Sequence, residues 1–538
     1  MLLIPFSNIL YMSLKLKNSS SLRLPLIVFS LFFIIFLFTS DGHRFTFDED
    51  VTSQQSKRIA TWSPDPSYVQ GESRYFFEYP WLFSPDNPDQ KQRSICLNAI
   101  LCSHGTIIHS LTQVPFIFLN HNLLFLTSSD IWTMEDYDDF HYISWRNDID
   151  PDFTFMEIFY GPLFTALSVS VFFSVSKTYG YSIRTCLILT FLFGISTMIW
   201  AYSQTSLNVV PVVFFILVGF LFYRKFRITN LYFNLICSGI FFGISFLTRN
   251  DIVLMIIPFF IFLSILSFKN NSKLKTFFSF IIPTFSSYLI HKFFDFIRVG
   301  FTGNPSMLEA VPKGLAAEAS SNSWSLQIFG ILFSPGAGLF IYSPILFACF
   351  VGFFDFFKKN KFDSLLMISI ISIFVMFFAA GNYWHGYNGW GPRYLVPIIP
   401  FLLLPLGASI EKRTNIFFKL STVILGIFGV IANLIYVLQD VSWFVWGFFG
   451  SDERGLYSLG RKVDGNVFDL WINPVIIWTF EFSQIIQSAL WLFSKPQFDL
   501  FLLKILGPEL FITIFVISIA FLSYLLVKSI KISSLREN

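Results

Sequence analysis

Runs of about 20 apolar residues, the length a helix needs to cross the hydrocarbon of a bilayer, recur along this chain. Twelve spans are predicted, at 24–40, 156–176, 185–202, 206–223, 231–247, 252–268, 276–291, 336–356, 363–380, 394–410, 415–438 and 508–528. The polar breaks between them alternate in kind. Lys15, Lys17 and Arg23 precede the first span. Every second connection then carries a cationic cluster: Lys177 with Arg184, Arg224-Lys225-Phe226-Arg227, Lys269 to Lys275, Lys358-Lys359-Asn360-Lys361, Lys412-Arg413, and the tail from Lys528 to Arg536. Lys and Arg are retained on the cytoplasmic side, so the pattern places both termini in the cytoplasm and fits an even number of spans. Two more apolar stretches, 107–128 and 470–492, would invert every later cluster if either one alone crossed. Both are read as interfacial or re-entrant. The first span has the basic start and apolar middle of a signal peptide, but Phe38-Thr39-Ser40-Asp41 makes a poor cleavage site, and it is read as an anchor.

Composition agrees with this topology. Only 13% of the 538 residues are charged, where a soluble domain has about 25%. Hydrophobic residues make up 54%, Phe alone contributes 73, and the mean hydropathy is +0.62. A net charge of +3, spread over short clusters, does not suggest nucleic acid. The expected fold is an all-α polytopic membrane protein of about 12 transmembrane helices. It comprises a cytoplasmic N-terminus at 1–23, a transmembrane module at 24–438, an external segment at 439–507, and a last helix with its cytoplasmic tail at 508–538. The module includes a long external loop, 41–155, which holds 17 of the 34 Asp and Glu residues against seven Lys and Arg. Its Pro, Gly and Asn content suggests a loop with short helices. Cys96 and Cys102 lie in this loop, either as free thiols or as a disulfide, and their spacing is not one that zinc uses. Cys186, Cys237 and Cys349 fall in apolar runs.

Four constellations bear chemistry. The first is Phe47-Asp48-Glu49-Asp50, just beyond the first span. Adjacent carboxylates at a membrane surface attract protons or cations, and burial would raise one pKa toward that of a general base; the bland reading is a solvated charge run. The second is Gly381-Asn-Tyr-Trp-His-Gly-Tyr-Asn-Gly-Trp-Gly-Pro-Arg-Tyr394. It is either an aromatic, sugar-compatible surface with Arg393 forked onto a phosphate, or an aromatic belt with a snorkelling arginine. The third, Phe333-Ser-Pro-Gly-Ala-Gly-Leu-Phe-Ile-Tyr-Ser-Pro344, implies broken or re-entrant backbone, or a plain loop entering a span. The fourth is Thr248-Arg249-Asn250-Asp251, where Arg249 is a second phosphate candidate or simply the partner of Asp251. An acidic patch from Glu135 to Asp152, with His141 and Trp145 inside it, reads as a divalent-cation site or as solvated loop charge. No GxSxG, HExxH, Walker loop or Rossmann fingerprint is present, which argues against a nucleotide-driven pump or a membrane metalloprotease.

In this order the motifs resemble the GT-C superfamily of membrane glycosyltransferases, in its prokaryotic protein-mannosyltransferase-like branch. Asp48-Glu49-Asp50 looks like the first-loop acidic motif of that family. Tyr160-Gly-Pro-Leu and Gly194-Ile-Ser-Thr-Met-Ile-Trp-Ala-Tyr-Ser203 are similar to its early helices. Thr248-Arg249, Ser334-Pro-Gly-Ala-Gly-Leu-Phe with Tyr342-Ser-Pro, and Gly391-Pro-Arg-Tyr-Leu-Val-Pro397 look like its later segments. The likeness covers roughly residues 24 to 410. It departs from the family pattern at Ala337, where an arginine often follows the Ser-Pro-Gly. The resemblance implies inverting transfer of a sugar from a polyprenyl- or dolichyl-phosphate donor to an acceptor at the external membrane face. Asp48 would be the base, with Glu49 as second choice. Arg393 and Arg249 would hold the donor phosphate, and Trp384, His385, Trp390 and Tyr394 would line the sugar and acceptor site. No cofactor is certain; a divalent metal on Asp48 and Asp50 is one option. The partners implied are the lipid-linked sugar and membrane lipid, without nucleic acid. The rival readings are a secondary transporter, which would carry ionisable groups near the bilayer midplane, and a non-catalytic membrane scaffold.

Overall fold

The computed structural model describes residues 19–42, 46–62, 100, 106–120, 155–269, 273–299, 324–381, 384–386, 389–439, 477–481, 483–494 and 498–537. Among them the chain forms helices and no strand. In order these are α1 (Ser19–Phe38), α2 (Phe47–Thr61), α3 (Ile107–Leu119), α4 (Tyr160–Lys177), α5 (Ile183–Ile195), α6 (Ile199–Tyr202), α7 (Val209–Thr229), α8 (Tyr232–Thr248), α9 (Val253–Lys269) and α10 (Lys273–Val299). The second half contains α11 (Trp324–Phe333), α12 (Leu339–Tyr342), α13 (Ala348–Lys359), α14 (Lys361–Ala379), α15 (Ile399–Leu403), α16 (Leu406–Lys412), α17 (Ile416–Val437), α18 (Gln484–Ser494) and α19 (Phe501–Glu537).

Among the described residues, six stretches are long and apolar enough to cross a membrane: Met156–Lys177, Val209–Thr229, Lys361–Ala379, Arg393–Lys412, Ile416–Val437 and Phe501–Ile532, with shorter apolar helices between them. The chain is a polytopic helical membrane protein. Helix α19 makes the need for lipid plain, because only 6% of its most apolar window is buried against protein. Leu510, Ile512, Val516, Ile517 and Phe521 all face outward, a continuous apolar surface that water would not tolerate. Where helices meet each other, small residues let backbones approach. A Cβ on Gly239 of α8 would lie 2.5 Å from the Phe280 carbonyl oxygen of α10, and Thr284 donates to the Gly239 carbonyl at 3.2 Å.

The cationic connections gather at one end of the bundle. Asp363, at the start of α14, is buried between Arg224 and Arg227 of α7, and Tyr179 and Tyr223 donate their hydroxyls to it at 3.1 and 3.3 Å. Asp355 accepts from Arg413, Lys412 and Ser409 at 2.6, 3.3 and 2.7 Å. The Ser182 amide donates to Glu411 at 2.7 Å. Each acid cross-links the ends of helices far apart in sequence, so the alternation of polar breaks corresponds to a physical end of the molecule.

Several predicted spans are not single helices. The stretch 185–202 breaks between α5 and α6, where the Thr197 hydroxyl accepts from the Ile199 amide at 3.3 Å and the Met198 amide turns to Ser343 Oγ at 3.0 Å. The stretch 336–356 is α12, a 3₁₀ turn at Pro344–Phe347 and α13, since Pro344 has no amide to continue a helix. The stretch 394–410 opens as a 3₁₀ turn, Arg393–Ile398, before α15 and α16, with Pro397, Pro400 and Pro405 interrupting the ladder. Span 276–291 lengthens to Lys273–Val299, and α11 occupies part of a segment expected to be external loop. The ambiguous stretch 107–128 contains α3, whose 13 residues fall short of the roughly 20 a crossing needs. Cys96, Cys102, the Glu135 to Asp152 patch and most of 439–507 lie outside the described residues.

Helix α17 touches the break after α5 through one glycine. A Cβ on Gly429 would collide with the Ser196 carbonyl oxygen, whereas one on Gly426 would meet only the flexible end of Leu192 at 3.1 Å. Gly429→Ala is expected to cost about 1–3 kcal/mol and Gly426→Ala much less. Thermal unfolding in detergent, measured on both variants, checks this; equal stability would show that the α17 contact is not tight.

Candidate active site at the polar end of the bundle

Opposite the cationic end, residues 196–208 run largely unwound through the bundle. Irregular backbone at this depth must have its polar groups met by protein or water, and here protein meets them. The Met198 amide donates to Ser343 Oγ at 3.0 Å, and Tyr202 donates its hydroxyl to the Trp390 carbonyl at 3.3 Å. Gln204 Nε2 reaches the carbonyls of Thr39 and Val437, the latter at 3.0 Å. Ser206 is held from three sides: its amide donates to Glu49 Oε1 at 2.7 Å, and its carbonyl accepts from His109 Nε2 at 2.8 Å and Gln113 Nε2 at 3.1 Å. Gly161 fits beneath this segment because a Cβ there would run into the carbonyls of Ser203 and Thr205.

The acidic motif opens α2. Thr46 and Glu49 form a capping box: the Glu49 amide donates to Thr46 Oγ1 at 3.3 Å, and Glu49 Oε2 accepts from the Thr46 amide at 3.1 Å. The Glu49 carboxylate, 1% exposed, is thus engaged on both oxygens, as a cap and as a strut to Ser206. Asp48 and Asp50 share the same first turn, and their side chains lie outside the described ones. Among the described residues, no three His, Cys, Asp or Glu residues come together as a metal site. Helix α2 packs on α3 through buried polar groups, with Ser56 donating to the Ser110 carbonyl at 2.9 Å, and on the 3₁₀ turn Phe155–Phe159, where Ser53 donates to Glu157 at 2.7 Å. Thr106, capping α3, donates to the Thr248 carbonyl at 2.6 Å. The first-loop helices therefore sit against Ser206 on one side and the residue before Arg249 on the other.

Arg249 and Arg393 come together. Their guanidinium carbons lie 5.7 and 5.3 Å from the centroid of the same ring, that of Tyr394. Arg249 pairs with Asp251 at 2.6 Å, as the structural alternative from the sequence had it. That pairing uses one branch of the fork. Arg249 Nη1 is buried without a hydrogen-bond partner, as are Asn250 Oδ1 and Asp251 Oδ1. Buried polar atoms without partners are uncommon and costly, and a guanidinium with a free branch beside a second arginine suits a forked anion.

Gly386, Gly389 and Gly391 answer to close approaches. Gly386 and Gly391 have φ of +84° and +65°, and a Cβ on either would lie within 2.8 Å of Arg393 N or Met198 Sδ. The aromatic belt reading fails for both tryptophans here: Trp384 is 6% and Trp390 1% exposed, so neither faces the lipid boundary. Trp390 packs edge-on to Tyr342 at 5.1 Å and against Tyr436 at 4.8 Å. The Ser206 strut was not singled out from sequence. The cue that existed was the polar run Ser203-Gln204-Thr205-Ser206 between two apolar stretches.

Burial, with a smaller contribution from the nearby Arg393 charge, pushes the His385 imidazole down from 6.5 to about 4. The unfolded chain then binds more protons than the folded one between those values, so stability falls as pH drops from 6.5 toward 4. The loss approaches about 3 kcal/mol at the acid limit. His385→Gln is expected to flatten this part of the pH–stability curve, read as melting temperature across pH 4–7; an unchanged slope would remove His385 as its source. The chain matches no protein-family model, and no curated protein is significantly similar to it.

Proposed function

We propose that this chain is a glycosyltransferase of the GT-C type, with twelve spans and both termini cytoplasmic. It moves a sugar from a polyprenyl- or dolichyl-phosphate donor to an acceptor at the external membrane face. The observation that carries this reading is the meeting of Arg249 and Arg393 at Tyr394, at the end of the bundle where the acid-bearing helix α2 docks on Ser206. In the reaction, the Asp48 carboxylate takes the proton of the acceptor group. The freed electron pair attacks the anomeric carbon, and the bond from that carbon to the phosphate oxygen breaks. The leaving pair settles on the lipid phosphate, where two guanidinium groups stabilise it. Glu49 is committed to the cap and the strut, so the proton acceptor is assigned to the neighbouring Asp48, as the resemblance implies. His385 is neutral at physiological pH, so it offers hydrogen bonds to a sugar rather than charge to a phosphate.

Asp48→Asn is expected to reduce release of free lipid phosphate from a lipid-phosphate sugar by roughly 10²–10⁴-fold while the protein stays in the membrane. Wild-type turnover in that variant would remove Asp48 as base. Arg393→Ala should weaken donor binding more than Arg393→Lys if charge is what matters, and equally if the fork is. Uptake of a labelled solute by reconstituted vesicles, with no transfer from a panel of lipid-phosphate sugars, would replace this reading with a transporter.

A further inference from the structure

The cationic end of the bundle carries more positive charge than its acids neutralise. Asp363 is answered by Arg224 and Arg227. Next to it, the end of α13, the start of α14 and the end of α16 bring Lys358, Lys359, Lys361, Lys412 and Arg413 against two further acids, Asp355 and Glu411. Both of these acids are engaged within the protein. Asp355 accepts from Lys412, Arg413 and Ser409, and Glu411 from the Ser182 amide. Asp355 thereby pins the end of α16 to the last turn of α13, and Lys358 follows Asp355 by three residues, one turn on. Lys358, Lys359 and Lys361 are exposed. Lys412 and Arg413 remain 55% and 36% exposed although each touches Asp355, so their charge also reaches the surface.

This corner borders a lipid-facing surface. Phe350 and Phe354, one turn apart on α13, are both exposed, and Lys358 comes at the next turn with its Nζ 4.0 Å from the centroid of the Phe354 ring. On the other side, α17 touches α13 and opens just after Arg413 with exposed Ile416, Phe417 and Leu420. The Arg413 guanidinium carbon lies 5.7 Å from the centroid of the Phe418 ring. Cationic heads set against apolar surface in this way sit at the level of lipid headgroups. An anionic phospholipid meets both parts at once, with its phosphate toward Lys358, Lys412 and Arg413 and its acyl chains along Phe350 and Phe354. A zwitterionic lipid brings a cation of its own, which the local excess of positive charge repels. A free phosphate has nothing to offer the phenylalanines.

We infer that the corner formed by Lys358, Lys412, Arg413 and the Phe350–Phe354 ridge binds an anionic phospholipid. The inference stands on charge and exposure at the end of the bundle away from Arg249, and is independent of the glycosyltransferase reading. The test uses the purified full chain in a neutral detergent and follows displacement of a fluorescent phosphatidylglycerol. Unlabelled phosphatidylglycerol is expected to displace it, and phosphatidylcholine and glycerol 3-phosphate at the same concentration are not. Affinity should fall as salt rises from about 50 to about 500 mM, because exposed charges are screened. Lys358→Gln should lose about fivefold of the affinity, and Lys358→Gln with Lys412→Gln about 25-fold. Asp355 keeps Ser409 and Arg413 in that variant. Lys225→Gln with Lys275→Gln removes two exposed lysines from α7 and α10 and should leave the affinity within about twofold of wild type. Displacement by phosphatidylcholine equal to that by phosphatidylglycerol would overturn the inference in favour of acyl-chain packing alone. Equal displacement by glycerol 3-phosphate would make the corner a plain anion site. Equal losses in the two double variants would mean diffuse surface charge in place of a site, and no loss in the Lys358 and Lys412 variant would remove the site outright. The comparison of lipids on the wild-type chain decides the charge preference whether or not a variant folds.

Discussion

An unwound stretch of backbone in an apolar bundle can persist only if every amide and carbonyl has somewhere to go. Residues 196–208 impose that demand here, and the way it is met organises the polar end of the molecule. Ser343 takes the Met198 amide, Trp390 takes the Tyr202 hydroxyl, and the first loop holds both faces of the Ser206 peptide. One strand of irregular chain thus ties together the acidic helix, the glycine-rich loop and the Ser-Pro break. None of these segments is adjacent in sequence. The glycines at 161, 391 and 429 belong to the same constraint, since each sits where a Cβ would collide with this stretch or the residue it carries.

The two ends of the bundle use charge in opposite ways. At the cationic end, Asp363 and Asp355 are each surrounded by donors, and their partners come from different helices. Arg224 and Asp363 are buried on both sides, and removing one would strand the other, which makes that pair a lock. At the polar end, Arg249 spends one branch on Asp251 and keeps another idle, and the neutral groups near Trp390 are idle as well. Groups at the first end are satisfied within the protein, and several at the second are not.

Much of the helical framework was legible because apolar run length and the placement of Lys and Arg are local signals. The Ser-Pro break before Pro344 was legible too, since proline acts on its own peptide. The break at 196–208 was not: no proline marks it, and what holds it open comes from residues over a hundred positions away, such as Ser343. Thr46 and Glu49 show both cases in one side chain. Their spacing is that of a capping box and can be read from four residues, while the reach of Glu49 to Ser206 spans 157 positions and cannot. The burial of Trp384 and Trp390 escaped for a similar reason. An aromatic residue beside a membrane boundary has the same sequence signature whether it faces lipid or the protein interior, and only the packing of Tyr342 and Tyr436 on Trp390 decides.

A site with partnerless buried groups raises the question of what keeps it from collapsing or hydrating. The answer lies in how its walls are fixed. Asn433 cannot turn its oxygen inward, because its nitrogen is already bound to two carbonyls. Arg249 cannot swing away, because Asp251 holds one branch at 2.6 Å. Trp390 cannot tilt toward a donor's partner, because aromatic rings press on it from two sides. The idle atoms of Asn433, Arg249 and Trp390 are thus each held by a bond or a contact made elsewhere on the same side chain. Preorganisation of this kind means that little side-chain freedom remains to be lost on binding.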